Sequence, residues 1–291
     1  MIKTMRNLIL LLFILFNTTL IIASNNNVSE DKAALELTTK MMEKIKSYNT
    51  FKYTLTKLER IEGKMIKEKL SAKIQTRPLN VYFRQAIPVD GRELLYKAGQ
   101  NNGKALINPG EFPWVNVNLN PQGGLMRKDQ HHSLFAFDFN YLISFLEYLL
   151  KKYASKAHEM VDILDDVTWD GRPCYHIEMQ NPNFSHIEYT VKEGENVIDI
   201  AKKLHINEYM IIELNEDVDS YTDVDAGQVI KVPNDYAKKM SLYLDKEYLL
   251  PVSVKVYDDK GLYEHFEYVN LQVDPVIKAE EFTQDYKEYG F

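Results

Sequence analysis

From Phe51 onward the hydrophobic period of the chain drops from four residues to two, and this change limits the fold more than any other feature. Phe51, Tyr53 and Leu55 alternate with polar residues, Gly63 marks a turn, and Ile66, Leu70, Ala72 and Ile74 alternate again. Short runs at 81–84, 93–98 and 104–107 follow, separated by Pro88, Gly91 and Asn101-Asn102-Gly103. Strands this short, joined by turns this close, predict an antiparallel meander. Before it, residues 28–47 read as a helix, with Ser29 as N-cap and Ala33, Leu37, Met41 and Ile45 on one stripe. Residues 108–133 are rich in Pro, Gly and Asn and predict a long loop or lid. Helical spacing returns over 138–153, with Leu142, Leu146, Leu149, Leu150 and Tyr153 on a broad apolar face. Strand patterns then occupy 161–168, 174–179, 240–244, 251–257 and 263–273, with turns at Asp170-Gly171, Asp245-Lys246 and 258–261.

The amino terminus narrows the compartment. Lys3 and Arg6 precede an apolar run from Leu8 to Phe16, and Ala23-Ser24 supplies small residues before an Asn-rich stretch. That order predicts a secretory signal over 1–24, because the run is shorter than the ~20 residues of a spanning helix. Removing it leaves a net charge of −9, from 33 cationic against 42 anionic side chains. An acidic chain without a basic run gains nothing from counterion release, so nucleic acid is excluded as a partner. The single Cys174 cannot form an intramolecular disulfide and reads as a core residue.

Between Met179 and Met240 the strand pattern breaks. Tyr189-Thr190-Val191 is a short strand and Glu193-Gly194 a turn. Asn196 caps a helix whose inward face is Val197, Ile200, Ala201 and Leu204. A second helix begins at Asn207, flanked by Ile206 and Ile211 as a hydrophobic staple, and Gly227-Gln228 turns back into 229–232. The order Tyr189 to Leu204, Leu214-Asn215, and Ala226 to Pro233 closely resembles a lysin motif (LysM), a βααβ module. In that motif the first and last strands pair, so the ends lie together and the unit can replace the tip of a hairpin. The host hairpin is then 174–180 against 240–244. The expected domains are the module at 187–234 within a discontinuous host of 25–186 and 235–291.

The host resembles, less specifically, an uncharacterised bacterial exported-domain family related to the lipoprotein-carrier (LolA/LolB-like) fold. The matching pieces are Glu59 to Lys64, Arg77-Pro78 with Val81-Tyr82, Gly91 to Tyr96, Asn102-Gly103-Lys104, Asn120-Pro121 and Tyr289-Gly290-Phe291. This resemblance implies an α+β fold, a curved antiparallel half-barrel sheet packed over two main helices, with the βααβ module inserted. It also implies an apolar cavity, lined by Leu142, Phe145, Leu146 and Leu149, for a lipid or lipoprotein acyl chain. A fully packed core at those four positions is the other reading, and the sequence leaves both open.

The lysin-motif resemblance implies that peptidoglycan, as an N-acetylglucosamine-containing glycan, binds two facing loops. These are Gly194, Glu195, Asn196, Val197 and Ile198, and Asp225, Ala226, Gly227, Gln228 and Val229. Two residues depart from the motif: Glu195-Asn196 replaces Asp followed by Thr or Ser, and Ala226 replaces Pro.

Catalytic patterns find little support. Cys174 and His176 share a strand face, but no helix N-terminus adjoins the thiol. Adjacent His131 and His132 lack the spacing of a three- or four-ligand metal site and read as an exposed loop pair. Asp165-Asp166 and Glu280-Glu281 read as solvated turns. No metal, cofactor or enzymatic activity is predicted. The leading expectation is an exported envelope protein tethered to the wall, ahead of an interaction scaffold and a wall hydrolase.

Overall fold

The computed structural model describes residues 32–112 and 114–291, so the predicted signal segment lies outside the described residues. The two-residue period resolves into β1 (Thr50–Ile61), β2 (Lys64–Thr76), β3 (Leu79–Ile87), β4 (Glu93–Lys97), β5 (Ala105–Asn108) and β6 (Val117–Leu119). Farther along come β7 (Val161–Trp169) and β8 (Arg172–Gln180), then β9 (His186–Thr190) and β10 (Val229–Pro233). The chain ends on β11 (Lys239–Asp245), β12 (Pro251–Asp258) and β13 (Gly261–Val273). All but β9 and β10 form one open eleven-stranded sheet, ordered β6-β5-β4-β3-β2-β1-β13-β12-β11-β8-β7, with every pair antiparallel.

Among the described residues five α-helices accompany the strands: α1 (32–47), α2 (Gly124–Arg127), α3 (Phe139–Lys152), α4 (Val197–Leu204) and α5 (Glu208–Leu214). Helix α1 buries Ala34, Met41 and Ile45. Helix α3 starts where the Asp138 side chain accepts from the Asn140 and Tyr141 amides, at 3.1 and 3.3 Å, and it buries Phe139, Ile143, Phe145 and Leu146. One face of the sheet, from Ile107 of β5 to Val161 of β7, joins both helices in a single core. Each fully buried Leu or Ile there contributes about 1.5–3 kcal/mol of transfer free energy. Cys174 is buried in this core, as its strand position predicts. None of the helices among the described residues is long and apolar enough to cross a membrane.

The stretch between Gln180 and Lys239 leaves the sheet as a β9-α4-α5-β10 unit with its own core of Val197, Ile200, Ala201, Ile206, Ile211, Val218, Ile230 and Val232. Its two chain connections run side by side. The Asn181 amide donates to the Lys238 carbonyl at 2.8 Å, and the Asn234 amide to Ser185 at 2.9 Å. Strand β8 pairs with β11 from Gln180↔Lys239 to Cys174↔Asp245, so the unit replaces a hairpin tip. Asn196 and Asp199 close a reciprocal capping box on α4, and Asn207 caps α5.

Three expectations need correction here. Residues 108–133 are not a loop throughout, because β6 pairs with β5 and Arg127, His131 and Ser133 are buried. Arg127 lies 3.6 Å over the Tyr221 ring and 3.4 Å from Glu208, which fixes this end of the segment against α5. Nor is Glu281 solvated. The carboxy-terminal segment folds back over β3 and β4, where Tyr289 stacks on Tyr82 at 3.6 Å and Glu281 meets Lys73 at 2.8 Å. Val197 belongs to the core of the inserted unit, and its side chain cannot reach a ligand in the loops.

Candidate functional site

The alternation of β1 carries the site. Its inward face runs Phe51, Tyr53 and Leu55, and by the same period must continue through Lys57 and Glu59, which are indeed buried. On β13 the facing positions are Glu264, Phe266 and Tyr268, and the strand register sets Glu59 directly opposite Glu264. Loop 132–138 and the start of α3 cover these residues. Between the two layers lies an open recess with a cavity volume of about 60 Å³. Its walls are Leu55, Val254 and Phe266 on the sheet side and Phe137, Phe139, Tyr141 and Leu142 on the helix side, while Lys57, Glu59, His132 and Glu264 form a polar floor.

His132 stands in that floor and His131 is buried beside it against Glu264, so the two are not an exposed pair. His131 is fully buried, its ring held between Tyr263 at 4.0 Å and Tyr209 at 5.0 Å. Its Nε2 lies 2.9 Å from the Arg60 carbonyl and its Nδ1 3.1 Å from Glu264 Oε2. His132 Nε2 reaches the same oxygen at 2.8 Å, and the Tyr236 hydroxyl donates to Glu264 Oε1. Burial alone would raise the Glu264 pKa, but His132 and then His131 outweigh it and hold the carboxyl well below the usual range. Lys57 donates to Glu68 at 2.7 Å and to Gln130 at 2.8 Å, and stands 3.3 Å from Glu59. Glu59, His131, His132 and Glu264 bring ligand-capable atoms within 4.8 Å of one another.

The inserted unit closes the back of the site. Asn207 is fully buried. Its amide nitrogen donates to the His131 carbonyl at 3.3 Å and to His132 Nδ1 at 3.2 Å, while its oxygen accepts from the Tyr209 amide and the Tyr263 hydroxyl. Arg60, at the inner end of β1, holds Glu213 of α5 through two bonds of 3.1 Å and also pairs with Asp258. The unit is therefore fastened to the sheet by buried charges and by the cap of its own helix.

Of the four positions expected to line a cavity, only Leu142 borders this recess. Phe145, Leu146 and Leu149 lie along the side of α3 that meets residues 235–240, around a separate, nearly filled hollow of about 10 Å³. Leu146 is fully buried and Phe145 stacks on Tyr236 at 4.1 Å, so both serve as core.

The two loops expected to bind glycan do come together. Thr190 pairs with Val229, and the Gly227 amide donates to the Val191 carbonyl at 2.8 Å. Gly194, Asp225, Ala226, Gly227 and Val229 are exposed there, with Ile198 half-buried. The side chains of Glu195, Asn196 and Gln228 are engaged within the unit. Glu195 accepts from Tyr189 and Lys203, Asn196 caps α4, and Gln228 bridges the Asp225 amide and Asp217.

Cys174 does not form a nucleophile with His176. Burial pushes its thiol up, and His176 bonds Ser241 at 2.9 Å. Sequence reasoning missed Lys57, Glu59, His131, His132 and Glu264. The available signal was the unbroken alternation of β1, which already placed two charged side chains inside.

No curated protein matches this sequence. Among solved structures, the chain is similar to the MucA/MucB complex of Pseudomonas aeruginosa, with 13% identity, 86% of this chain and 60% of that chain covered, and a TM-score of 0.41. It is similar to LprF from Mycobacterium bovis at 10% identity, with 84% and 95% covered and a TM-score of 0.40. A putative outer membrane lipoprotein-sorting protein domain from Vibrio parahaemolyticus gives 10% identity, 88% and 98% covered, and a TM-score of 0.35. The profile of the family described as "Protein of unknown function (DUF1571)" matches residues 48–211, more than half of the chain, and the chain belongs to that family.

Proposed function

We propose that this protein is an exported, non-enzymatic component of a bacterial envelope that holds an apolar chain in the recess under α3. The observation that carries this reading is the recess itself, with walls of Leu55, Phe137, Phe139, Leu142, Val254 and Phe266 above a charged floor. Apolar walls with a few convergent polar groups are the usual composition of a small-ligand site. An acyl chain along the walls with its polar head at Lys57 and His132 satisfies both parts, so a lipid or a lipoprotein acyl group is the proposed ligand class. Binding of a fluorescent fatty acid to the purified protein tests it. Leu142 is half-buried at the wall, and Leu142→Trp fills space without adding charge. Affinity should fall at least about tenfold, a loss of about 1.4 kcal/mol. A folded wild-type protein that binds neither the fatty acid nor any lipid vesicle component removes the carrier reading and leaves an interaction scaffold.

The inserted unit is proposed to be a lysin motif that tethers the protein to peptidoglycan. Its exposed loop residues Gly194, Ala226, Gly227 and Val229 support this, since the paired strands bring them to one edge. With Glu195, Asn196 and Gln228 engaged internally, contact with glycan falls to backbone groups and small apolar surfaces. Affinity for one module should therefore be weak, with a Kd from tens of micromolar to about 1 mM. In a pull-down with insoluble peptidoglycan, the double variant Ala226→Arg, Val229→Asp should lose retention. Equal retention of variant and wild type would sink the tether.

A further inference from the structure

We infer that a divalent first-row transition-metal ion binds between β1 and β13, held by His131 Nδ1, Glu264 and Glu59, with a fourth position open to the recess. The inference goes beyond the proposed carriage of an apolar chain and does not depend on it.

Four observations carry it. The first is the pairing of two carboxylates. Glu59 and Glu264 are cross-strand partners, 2% and 0% exposed, and like charges directly opposite on adjacent strands repel. In the interior this repulsion is stronger than at a surface. The second is the placing of the His131 ring. The Arg60 carbonyl can only accept, so His131 Nε2 donates to it, which turns Nδ1 toward Glu264 Oε2 at 3.1 Å. Ligands of a tetrahedral ion with bonds of about 2.0 Å stand about 3.3 Å apart, close to this contact.

The third observation is an orphan. Glu59 Oε1 is buried with no hydrogen-bond partner, on a side chain whose other oxygen meets Lys57. A buried carboxylate oxygen left bare costs free energy that a metal bond would recover. The fourth is the outer shell. A ligating histidine characteristically donates its second ring nitrogen to a carbonyl, and Nε2 of His131 does so, with Tyr263 and Tyr209 fixing the ring plane.

His132 is assigned differently. The Asn207 amide nitrogen donates to His132 Nδ1, because the Asn207 oxygen is committed to the Tyr209 amide and the Tyr263 hydroxyl. Nε2 of His132 therefore bears the proton and donates to Glu264, which makes His132 a positioning residue for that carboxylate. Charge agrees with the assignment. Glu59 and Glu68 share the single ammonium of Lys57, Glu264 meets His131, His132 and Tyr236, and a divalent cation offsets the negative charge that these three carboxylates leave. One imidazole and two carboxylates form a donor set suited to zinc, iron(II) or manganese.

The test uses the tag-free mature chain, stripped with a chelator and titrated with ZnCl2 and CoCl2. One equivalent of Zn2+ per chain should bind and raise the Tm, and EDTA should reverse the rise. Bound Co2+ should show the visible absorption of a four- or five-coordinate site. Glu59→Gln keeps the shape of the side chain and removes one ligand charge, so affinity should fall at least about 100-fold, more than the loss of an outer-shell contact gives. His131→Gln should abolish the Co2+ spectrum. Should either variant fail to fold, X-ray absorption of the wild-type Zn2+ form must show one imidazole among oxygen ligands. Failure of Zn2+, Co2+ and Mn2+ to bind overturns the inference. Binding unchanged in both variants overturns it equally, by placing the metal elsewhere.

Discussion

Asn207→Leu should destabilise the protein by about 4 kcal/mol or more and split its urea unfolding into two transitions. The side chain is nearly isosteric, so the loss is one of hydrogen bonds rather than volume. Asn207 is fully buried and serves four partners at once: the His131 carbonyl, His132 Nδ1, the Tyr209 amide and the Tyr263 hydroxyl. Each buried group left without its partner costs about 1–3 kcal/mol, and loss of an N-cap adds about 1 kcal/mol. The same residue ends one core and begins the other, since it caps α5 of the inserted unit while touching the floor of the recess. Removing it should uncouple the β9-α4-α5-β10 unit from the sheet, which the second transition would report. Asn207→Ser retains an oxygen for the Tyr209 amide and should lose less. A single transition with an unchanged midpoint in Asn207→Leu would mean that the unit is docked by Arg60 and Arg127 alone.

Phe145→Glu should unfold the host at room temperature or lower its stability by at least about 4 kcal/mol. Truncating a buried Phe costs about 3–5 kcal/mol, and an unpaired buried carboxylate adds to that. Phe145 is 7% exposed and stacks on Tyr236, whose hydroxyl in turn holds Glu264. The damage therefore reaches the polar floor as well as the core. Circular dichroism and urea denaturation measure it. Leu142→Glu, three residues earlier on α3, is the contrast, because that side chain faces the recess and can be solvated through its mouth. A folded Phe145→Glu with native stability would show that the hollow beside Tyr236 opens to water.

The difference between these two positions also marks where sequence reasoning stopped. Periodicity identified α3 and its broad apolar face, with Leu142, Leu146 and Leu149 together on it. It could not divide that face, because a wall of a recess and a packed core demand the same residue types. Local signals served well wherever the cause was local: Asn196 and Asn207 cap helices, Gly63 and Gly171 turn strands, and Ile206 with Ile211 staples α5. The floor of the recess depended on contacts between residues far apart in the chain. Glu59 meets Glu264, and His131 meets both Arg60 and Tyr263. Adjacent histidines in a stretch of Pro, Gly and Asn carry the composition of a surface loop, and only the docking of α5 makes that loop an interior one. Lys57 and Glu59 were legible in principle. Their even spacing after Phe51, Tyr53 and Leu55 put them on the inward face, and charge argued against burial without a partner in view.

The order of strands in the sheet governs when the recess can exist. Strands β1 to β6 follow one another as neighbours, and β13 back to β7 do the same apart from the excursion between β8 and β11. Each half can zip as its own chain emerges. The seam between the halves is β1 against β13, the first strand of the sheet and the last. Pairing so distant in sequence is slow, because the ends of a long chain must find each other before any contact rewards them. Glu59 stands on one side of that seam and Glu264 on the other, so the floor is assembled in the final step of closure. A chain whose seam is still open thus carries two half-sites and no site, and any ligand that favours the closed seam would act as a latch on completed folding.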